Sequence, residues 1–370
     1  MGQGDLPMKI ACDQPMVRSH HRGVDAVGRR KLLLGGGAAV IAATARRAEA
    51  QSITVPMGIW GGVMIDTVKA VAAPRYAAQY PDVQLTFNVR GATDEYSRLL
   101  VTRDHPDEAG GMWTDLFSAL AGKAGMFNKF DDRFVPERAN LIAKLQPADG
   151  VGITFAVQPY GIAYNPKYVE KPTSWLDLFN PKYEGKVGLI DNFYDHFVML
   201  SRVLGKDEHD IEIAFDEWAK HKKSIGVFTN TFPQLEDLLD KGEMWLGPHW
   251  GGFATGSMRR GLNIAFAWPK EGCTQASVIA NVTKNTAPNI SEFGQRFINI
   301  WLTPEYQTSQ MERAGLSPTN AAVKIPPELA GLDGIITDER LKTNRLVQYD
   351  YAYVGANLTR IKRLFDEKLR

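Results

Sequence analysis

An α/β fold in two lobes is predicted for this 370-residue chain from three observations. Short strand-like runs alternate with helix-like patterns along most of its length. About 320 residues follow a removable leader, which is more than one hydrophobic core organises. A segment with strands and helices of its own is inserted between two long extended stretches, as in a protein whose lobes are joined by crossing strands and a hinge.

The leader is the first element. Arg29, Arg30 and Lys31 stand immediately before Leu32, Leu33 and Leu34, and an uncharged stretch continues to Thr44. A basic region followed by a short apolar one reads as a signal peptide. The apolar stretch is about thirteen residues against roughly 20 for a membrane span, and Gly35, Gly36 and Gly37 make it a poor helix. Ala48-Glu49-Ala50 supplies the small-x-small cleavage pattern, which places the mature start at Gln51. Arg46 and Arg47 just before that site, the paired arginines and the weak hydrophobicity favour a twin-arginine address, although Gly28 stands where Ser or Thr usually precedes the pair. Residues 1–50 are therefore expected to be a signal peptide for the periplasm, with Met8 and Met16 as alternative starts.

Without that leader the chain keeps 35 basic against 38 acidic residues, a net charge near −3. That excludes a basic field for nucleic acid. Cys273 is the one cysteine after residue 50, so no intramolecular disulfide is expected, and zinc clusters of Cys and His are missing. No cofactor is expected.

Ser52 to Trp60 reads as a strand leading into a Gly61-Gly62 loop, and Val63 to Tyr80 as a helix stopped by Pro81. Val83 to Val89 alternates with period two, as a second strand does. A helix over Asp94 to Arg103, a short strand over Gly111 to Trp113, a turn at Thr114-Asp115 and a helix over Leu116 to Phe127 follow. Such alternation implies a sheet with many parallel strands, covered on both faces. In these sheets ligands sit off the carboxyl ends of the strands, where loops meet helix N-termini. That rule nominates Trp60 with Gly61 and Gly62, and Trp113 with Thr114 and Asp115, as pocket loops; the competing reading of each Trp is a packed aromatic.

Farther on, Ile153 to Val157 and Tyr160 to Tyr164 form one extended stretch. Trp245 to Trp250 and Ile264 to Trp268 form a second, which ends in Pro269-Lys-Glu-Gly272. Between the two, Lys186 to Asp191 is strand-like and Ile211 to Lys222 helix-like. Pro172 to Leu178 reads as a loop, a Thr173/Ser174 N-cap and an apolar helical turn. Tyr183-Glu-Gly185 reads as a turn into a strand.

Five segments in order, Tyr160 to Pro166, Pro172 to Leu178, Asn180 to Val187, Ala267 to Gly272 and Leu316 to Asn320, resemble the extracellular solute-binding proteins of the spermidine/putrescine type. The resemblance implies a type II periplasmic binding protein: two α/β lobes, each a mixed sheet flanked by helices, closing by a hinge on a small-molecule solute held in the cleft between them. Lobe one would be 51–158 plus 275–320, and lobe two 159–274 plus 321–370. The implied partner is an ABC-transporter permease in the inner membrane, and the implied state is a monomer.

The resemblance also implies a pocket. Trp60 matches the aromatic of the first loop, and Trp250 the tryptophan after the late strand of lobe two. Asn192 and Asp195 fall where polyamine binders tend to carry two acidic residues, and Asn230, after Thr229, matches a polar loop reaching the cleft. Polyamine binders place an aromatic and an Asp after Glu271-Gly272, where this chain has Cys273-Thr-Gln275-Ala-Ser277. A desolvated ammonium without a counter-charge is costly. The expectation is therefore an aromatic cage of Trp60, Trp250, Trp113 and Tyr351 with one carboxylate, Asp115 or Asp195. It suits a single amine or a zwitterion, each cation–π contact contributing roughly 0.5 to 2 kcal/mol. His249 could add a pH-dependent donor or be a loop histidine bonded to backbone. Tyr349, Tyr351 and Tyr353 alternate instead of adjoining, which does not suit ferric binding.

The rival class is an exported enzyme. No G-x-S-x-G, H-E-x-x-H, P-loop or C-x-x-C pattern occurs, and the acidic pairs Asp131-Asp132 and Glu236-Asp237 read as solvated faces. A receptor presenting a bound solute for chemotaxis would share fold and pocket.

Overall fold

The computed structural model describes residues 52–147, 150–191, 193–343 and 346–370. The expected leader, its cleavage point and Asn192 lie outside them.

Strand β1 (Ile53–Ile59) buries Val55, Met57 and Ile59. The predicted helix over 63–80 forms in three pieces, α1 (Val63–Thr67), a π-helical turn (Val68–Ala72) and α2 (Ala73–Gln79). Pro74 lacks the N–H that would continue the i→i−4 ladder, which accounts for a widened turn just before it. Then come β2 (Val83–Val89), α3 (Ala92–Thr102), β3 (Gly110–Trp113) and α4 (Asp115–Lys123). The last helix differs from the sequence expectation at both ends. Thr114 is its N-cap and Asp115 its first residue, not a turn before it. Gly125, with φ 68°, ends it early, and Phe127 enters the two-residue β4 (Phe127–Asn128) instead.

The first extended stretch is a single strand, β5 (Ile153–Tyr164), buried along its whole length and passing through Pro159. Proline in a sheet is confined to breaks in pairing, and Pro159 falls past the end of one partner strand and before the next. After it come β6 (Val187–Ile190), α5 (Asp195–Val203), α6 (Glu212–Lys220), β7 (Ile225–Thr229) and α7 (Phe232–Asp240). A 3-10 turn at Trp175–Phe179 carries the expected cap: Ser174 and Asp177 form a capping box.

The second stretch is not continuous. Helix α8 (Gly251–Arg259) separates β8 (Leu246–Trp250) from β9 (Ala265–Ala267). The long partner of β5 is the next strand, β10 (Cys273–Thr283). The chain ends with α9 (Pro288–Trp301), α10 (Pro304–Ala314), β11 (Ser317–Pro318), α11 (Pro327–Ala330), α12 (Asp338–Lys342), β12 (Leu346–Val347), α13 (Tyr351–Ala356) and α14 (Leu358–Leu369).

The described strands form one mixed sheet with the central order β2-β1-β3-β10-β5-β8-β6-β7. Both outer halves are parallel, β1 to β2 and β3 on one side and β6 to β7 and β8 on the other. The middle is antiparallel, β3 to β10 to β5 to β8. Two large hydrophobic cores cover the halves. One gathers Val55, Met57, Ile59, Phe297 and Trp301; the other gathers Leu189, Phe197, Phe215, Trp218 and Phe365. β5 and β10 serve both, with Ile153 and Phe155 in the first and Tyr160 and Ile162 in the second, and with Val278 and Ala280 in the first and Cys273 in the second. Among the described residues no helix is long and apolar enough to cross a membrane.

Candidate functional site

One register row crosses the middle of the sheet. Trp250 of β8 faces Tyr160 of β5, and Tyr160 faces Thr274 of β10. Thr274 Oγ1 donates to the Asp195 carboxylate at 3.0 Å. Asp195 is the first residue of α5, where the positive end of the helix dipole favours a carboxylate. Tyr349 Oη donates to the same oxygen at 3.2 Å. Burial nevertheless pushes Asp195 up to about 6, with the two hydroxyls and its own backbone acting the other way.

Asp115 occupies the corresponding place on α4. The Ser277 backbone N–H donates to its Oδ2 at 2.6 Å. Burial pushes Asp115 up to about 7, Ser277 opposes this with its backbone and hydroxyl, and the charge of Asp195 adds to the rise. Both aspartates are half-buried, and among the described residues no ion pair engages either.

Gln275 ties the two together. Its Nε2 donates to Ser277 Oγ at 2.8 Å and to the Leu145 carbonyl at 3.2 Å. Its Oε1 accepts from Gln348 at 3.0 Å, and its backbone carbonyl from Tyr351 Oη at 2.7 Å. Tyr349 and Tyr351 pack ring to ring at 4.0 Å, and burial holds both phenols well above their usual pKa. Both therefore remain hydrogen-bond donors at neutral pH. Tyr160 Oη lies 3.4 Å from His196 Nδ1, and burial pulls His196 down to about 3, so this imidazole is neutral.

The aromatic wall lies at the Trp250 end of the row. Phe232 stacks on Trp250 at 4.3 Å, and Phe193 and Phe253 meet it edge-on at 5.1 and 5.2 Å. Phe193 continues to Tyr160 at 6.1 Å. Trp60 is half-buried against the first core, and its Nε1 is buried with no hydrogen-bond partner among the described residues. Gly61 follows it in the loop, where Gly62 takes φ 64°.

The structure thus brings Asp115, Asp195, Gln275, Ser277 and Tyr351 into one network, with Trp250 on its register row. Trp113 lies inside β3 and not in a loop; it is 1% exposed and packs edge-on against Phe127 at 5.1 Å. Thr114 serves as the α4 cap, accepting from the Phe117 N–H. Asn230 is exposed after β7, its N–H donating to Gln234 Oε1 at 2.9 Å. His249 lies within β8, not a loop, and is fully buried, with Nδ1 2.9 Å from the Trp250 carbonyl oxygen. Glu236, read from sequence as solvated, is 6% exposed and lies 3.6 Å from His249 and 3.7 Å from Arg260. Its partners are remote in sequence, which hid the pairing.

Sequence reasoning missed Thr274, Tyr349 and Tyr160 as members of the network. Thr274 immediately precedes the nominated Gln275 on β10, and period-two alternation would have set it on the opposite face from Gln275 and Ser277. Tyr349 stood out only as part of a tyrosine run.

Residues 73–333 match the family model described as bacterial extracellular solute-binding protein. The chain is similar to the spermidine/putrescine-binding periplasmic protein of Escherichia coli, with 30% identity over 255 residues that span 63% of this chain and 69% of that protein. An ABC-transporter structure from Clostridium perfringens superposes with a TM-score of 0.71 at 18% identity, over 86% of this chain and 100% of the other. A spermidine/putrescine ABC transporter substrate-binding protein from Streptococcus pneumoniae superposes with a TM-score of 0.67 at 16% identity, over 85% and 99%.

Proposed function

This chain belongs to the bacterial extracellular solute-binding proteins, and we propose that it is the capture component of an ABC importer for a small amine-bearing or zwitterionic organic solute. The observation that carries the amine is the pair of half-buried, desolvated carboxylates, Asp115 and Asp195, without an ion-pair partner among the described residues. Desolvation favours a carboxylate that is protonated or paired, and a cationic solute pairs it. The aromatic face of Trp250 on the same register row suits an alkylammonium. Polyamine recognition by the Escherichia coli relative, as its name states, agrees with that chemistry.

The residues taken to line the site are Asp115, Asp195, Gln275, Ser277, Tyr351 and Trp250, with Trp60 of the first loop as a further member. Lobe one would comprise 51–158 plus 275–320, and lobe two 159–274 plus 321–370. The division is supported by two hydrophobic cores that share β5 and β10. Closure of one lobe on the other expels water and strengthens polar contacts to the solute. The closed form then docks on the permease. The reading includes export to the periplasm by the twin-arginine leader, a monomeric state and no catalytic role.

Titration calorimetry of the purified protein against putrescine, spermidine, γ-aminobutyrate and a sugar acid tests the assignment. Saturable binding of an amine, lost in the D195N variant, supports it. Binding of the sugar acid alone would overturn the amine assignment.

A further inference from the structure

Trp250 is both the last residue of β8 and the N-cap residue of α8, and no side-chain cap accompanies it. The next two residues are Gly251 and Gly252, the most permissive backbone the chain can place there. Close packing of Gly251 against Gly334 and of Gly252 against Gly315 restrains the backbone after Trp250, and the side before it needs a restraint of its own if the indole is to keep one direction. His249 supplies contacts of that kind. Its Nδ1 lies 2.9 Å from the Trp250 carbonyl oxygen, and a carbonyl only accepts, so Nδ1 carries the proton. Its ring meets Phe232 edge-on at 4.8 Å and 85°, and Phe232 is the ring stacked on Trp250 at 4.3 Å.

Glu236 lies beside this histidine, with Oε1 3.6 Å from His249 Nε2 and its other oxygen 3.7 Å from Arg260; with the proton on Nδ1, Nε2 has no hydrogen-bond partner among the described residues. The Arg260 side chain is 63% exposed, so the chain of contacts runs from solvent to the aromatic wall.

We infer that His249 is a positioning residue for Trp250: it fixes the β8 to α8 junction and the Phe232 ring together, and so orients the aromatic wall without meeting the solute. The inference rests on Trp250 lining the solute site. It separates the histidine from the pH-dependent ligand donor that the sequence suggested, because the protonated ring nitrogen is committed to the Trp250 carbonyl oxygen.

The test is ¹⁹F NMR of the full chain labelled with 5-fluorotryptophan, with the Trp250 resonance identified by its loss in W250F. The H249N variant keeps an amide donor at the Nδ1 position, and H249L fills the space without one. The Trp250 resonance is expected to shift or split in H249L and to return near the wild-type position in H249N. Trp113 and Trp301, which belong to other clusters, should not move. Affinity for putrescine should fall about tenfold in H249L and recover to within about threefold in H249N, as for an interface anchor that is misplaced but not removed. A Trp250 resonance in H249L that coincides with wild type would overturn the inference. If H249L does not fold, H249Q, which carries its amide to the Nε2 position, takes its place with the same two outcomes. Wild-type putrescine binding by W250F would instead remove Trp250 from the site, a failure of the underlying reading that leaves the NMR result standing by itself.

Discussion

The backbone N–H of Ser277 donates to the Asp115 carboxylate at 2.6 Å, fastening the first turn of α4 to the middle of β10. The two positions share one carboxylate across a hydrogen bond, so the charge can be transposed. D115N should weaken putrescine binding about ten- to a hundredfold, the size of a lost charged contact. The D115S/S277D double variant, which puts the acid on the strand side, should recover part of that loss, while S277A alone should have a smaller effect. Calorimetry on the four proteins checks this. A double variant no better than D115N would mean that the position of the charge on α4 is itself required.

The pH dependence follows from the direction of both shifts. Burial pushes Asp195 up to about 6 and Asp115 up to about 7, so the free site retains protons that a cation must displace. Putrescine affinity should rise with pH through that window, by up to about tenfold per unit for each proton released, and level off above it. Stability of the ligand-free protein should run the other way. An acid whose folded pKa lies above its ordinary 3.8 takes its charge more readily in the unfolded chain, so stability falls as pH climbs from about 4 to about 7. D115N should flatten much of that slope in urea titrations at several pH values.

Much of this fold was legible in local pattern. β1, β2 and β5 announced themselves by runs of Val, Ile, Met and aromatics, and Ser174 and Asp177 announced their capped turn. β10 did not, because its first half, Cys273 to Ser277, carries polar side chains of the hydrogen-bonded network where a buried strand would show apolar ones. Its apolar second half was therefore left unassigned, and the crossing role fell to the 245–268 region, which α8 in fact interrupts. Asp115 was nominated by a rule about strand ends and helix starts, and it lies in the network. Tyr349 and Thr274 could not be found that way, since their significance comes from reaching one carboxylate, Asp195, from sequence distances of 154 and 79 residues. Glu236 was misread for the same reason: its pairing with Arg260 and His249 is tertiary.

Backbone packing makes a prediction independent of the solute. Gly315 ends α10 with φ 69°, and a Cβ there would lie 2.3 Å from the Gly252 carbonyl oxygen. Both the left-handed conformation and the contact with backbone oppose a side chain. G315A should cost at least about 2 kcal/mol in urea unfolding. Because Gly252 lies two residues beyond Trp250, it should also perturb the Trp250 environment. A neutral G315A would mean that this junction yields easily.

Tyr349 offers the sharpest separation of roles. Burial keeps its phenol protonated, so it donates to Asp195 across the working pH range, and that hydrogen bond lowers the Asp195 pKa against the burial that raises it. Phe at this position keeps the ring against Tyr351 and removes only the donor. With the donor gone, Asp195 should titrate higher. Y349F should then bind putrescine nearly as well as wild type at about pH 8 but distinctly more weakly at about pH 6, shifting the acid limb of the affinity profile upward. T274V, which removes the other hydroxyl donor to the same oxygen, should shift the limb in the same direction. A loss of affinity in Y349F that is uniform across pH would place the phenol against the solute itself, because a direct contact is forfeited at every pH while a tuning contact is forfeited only where the carboxylate can be protonated.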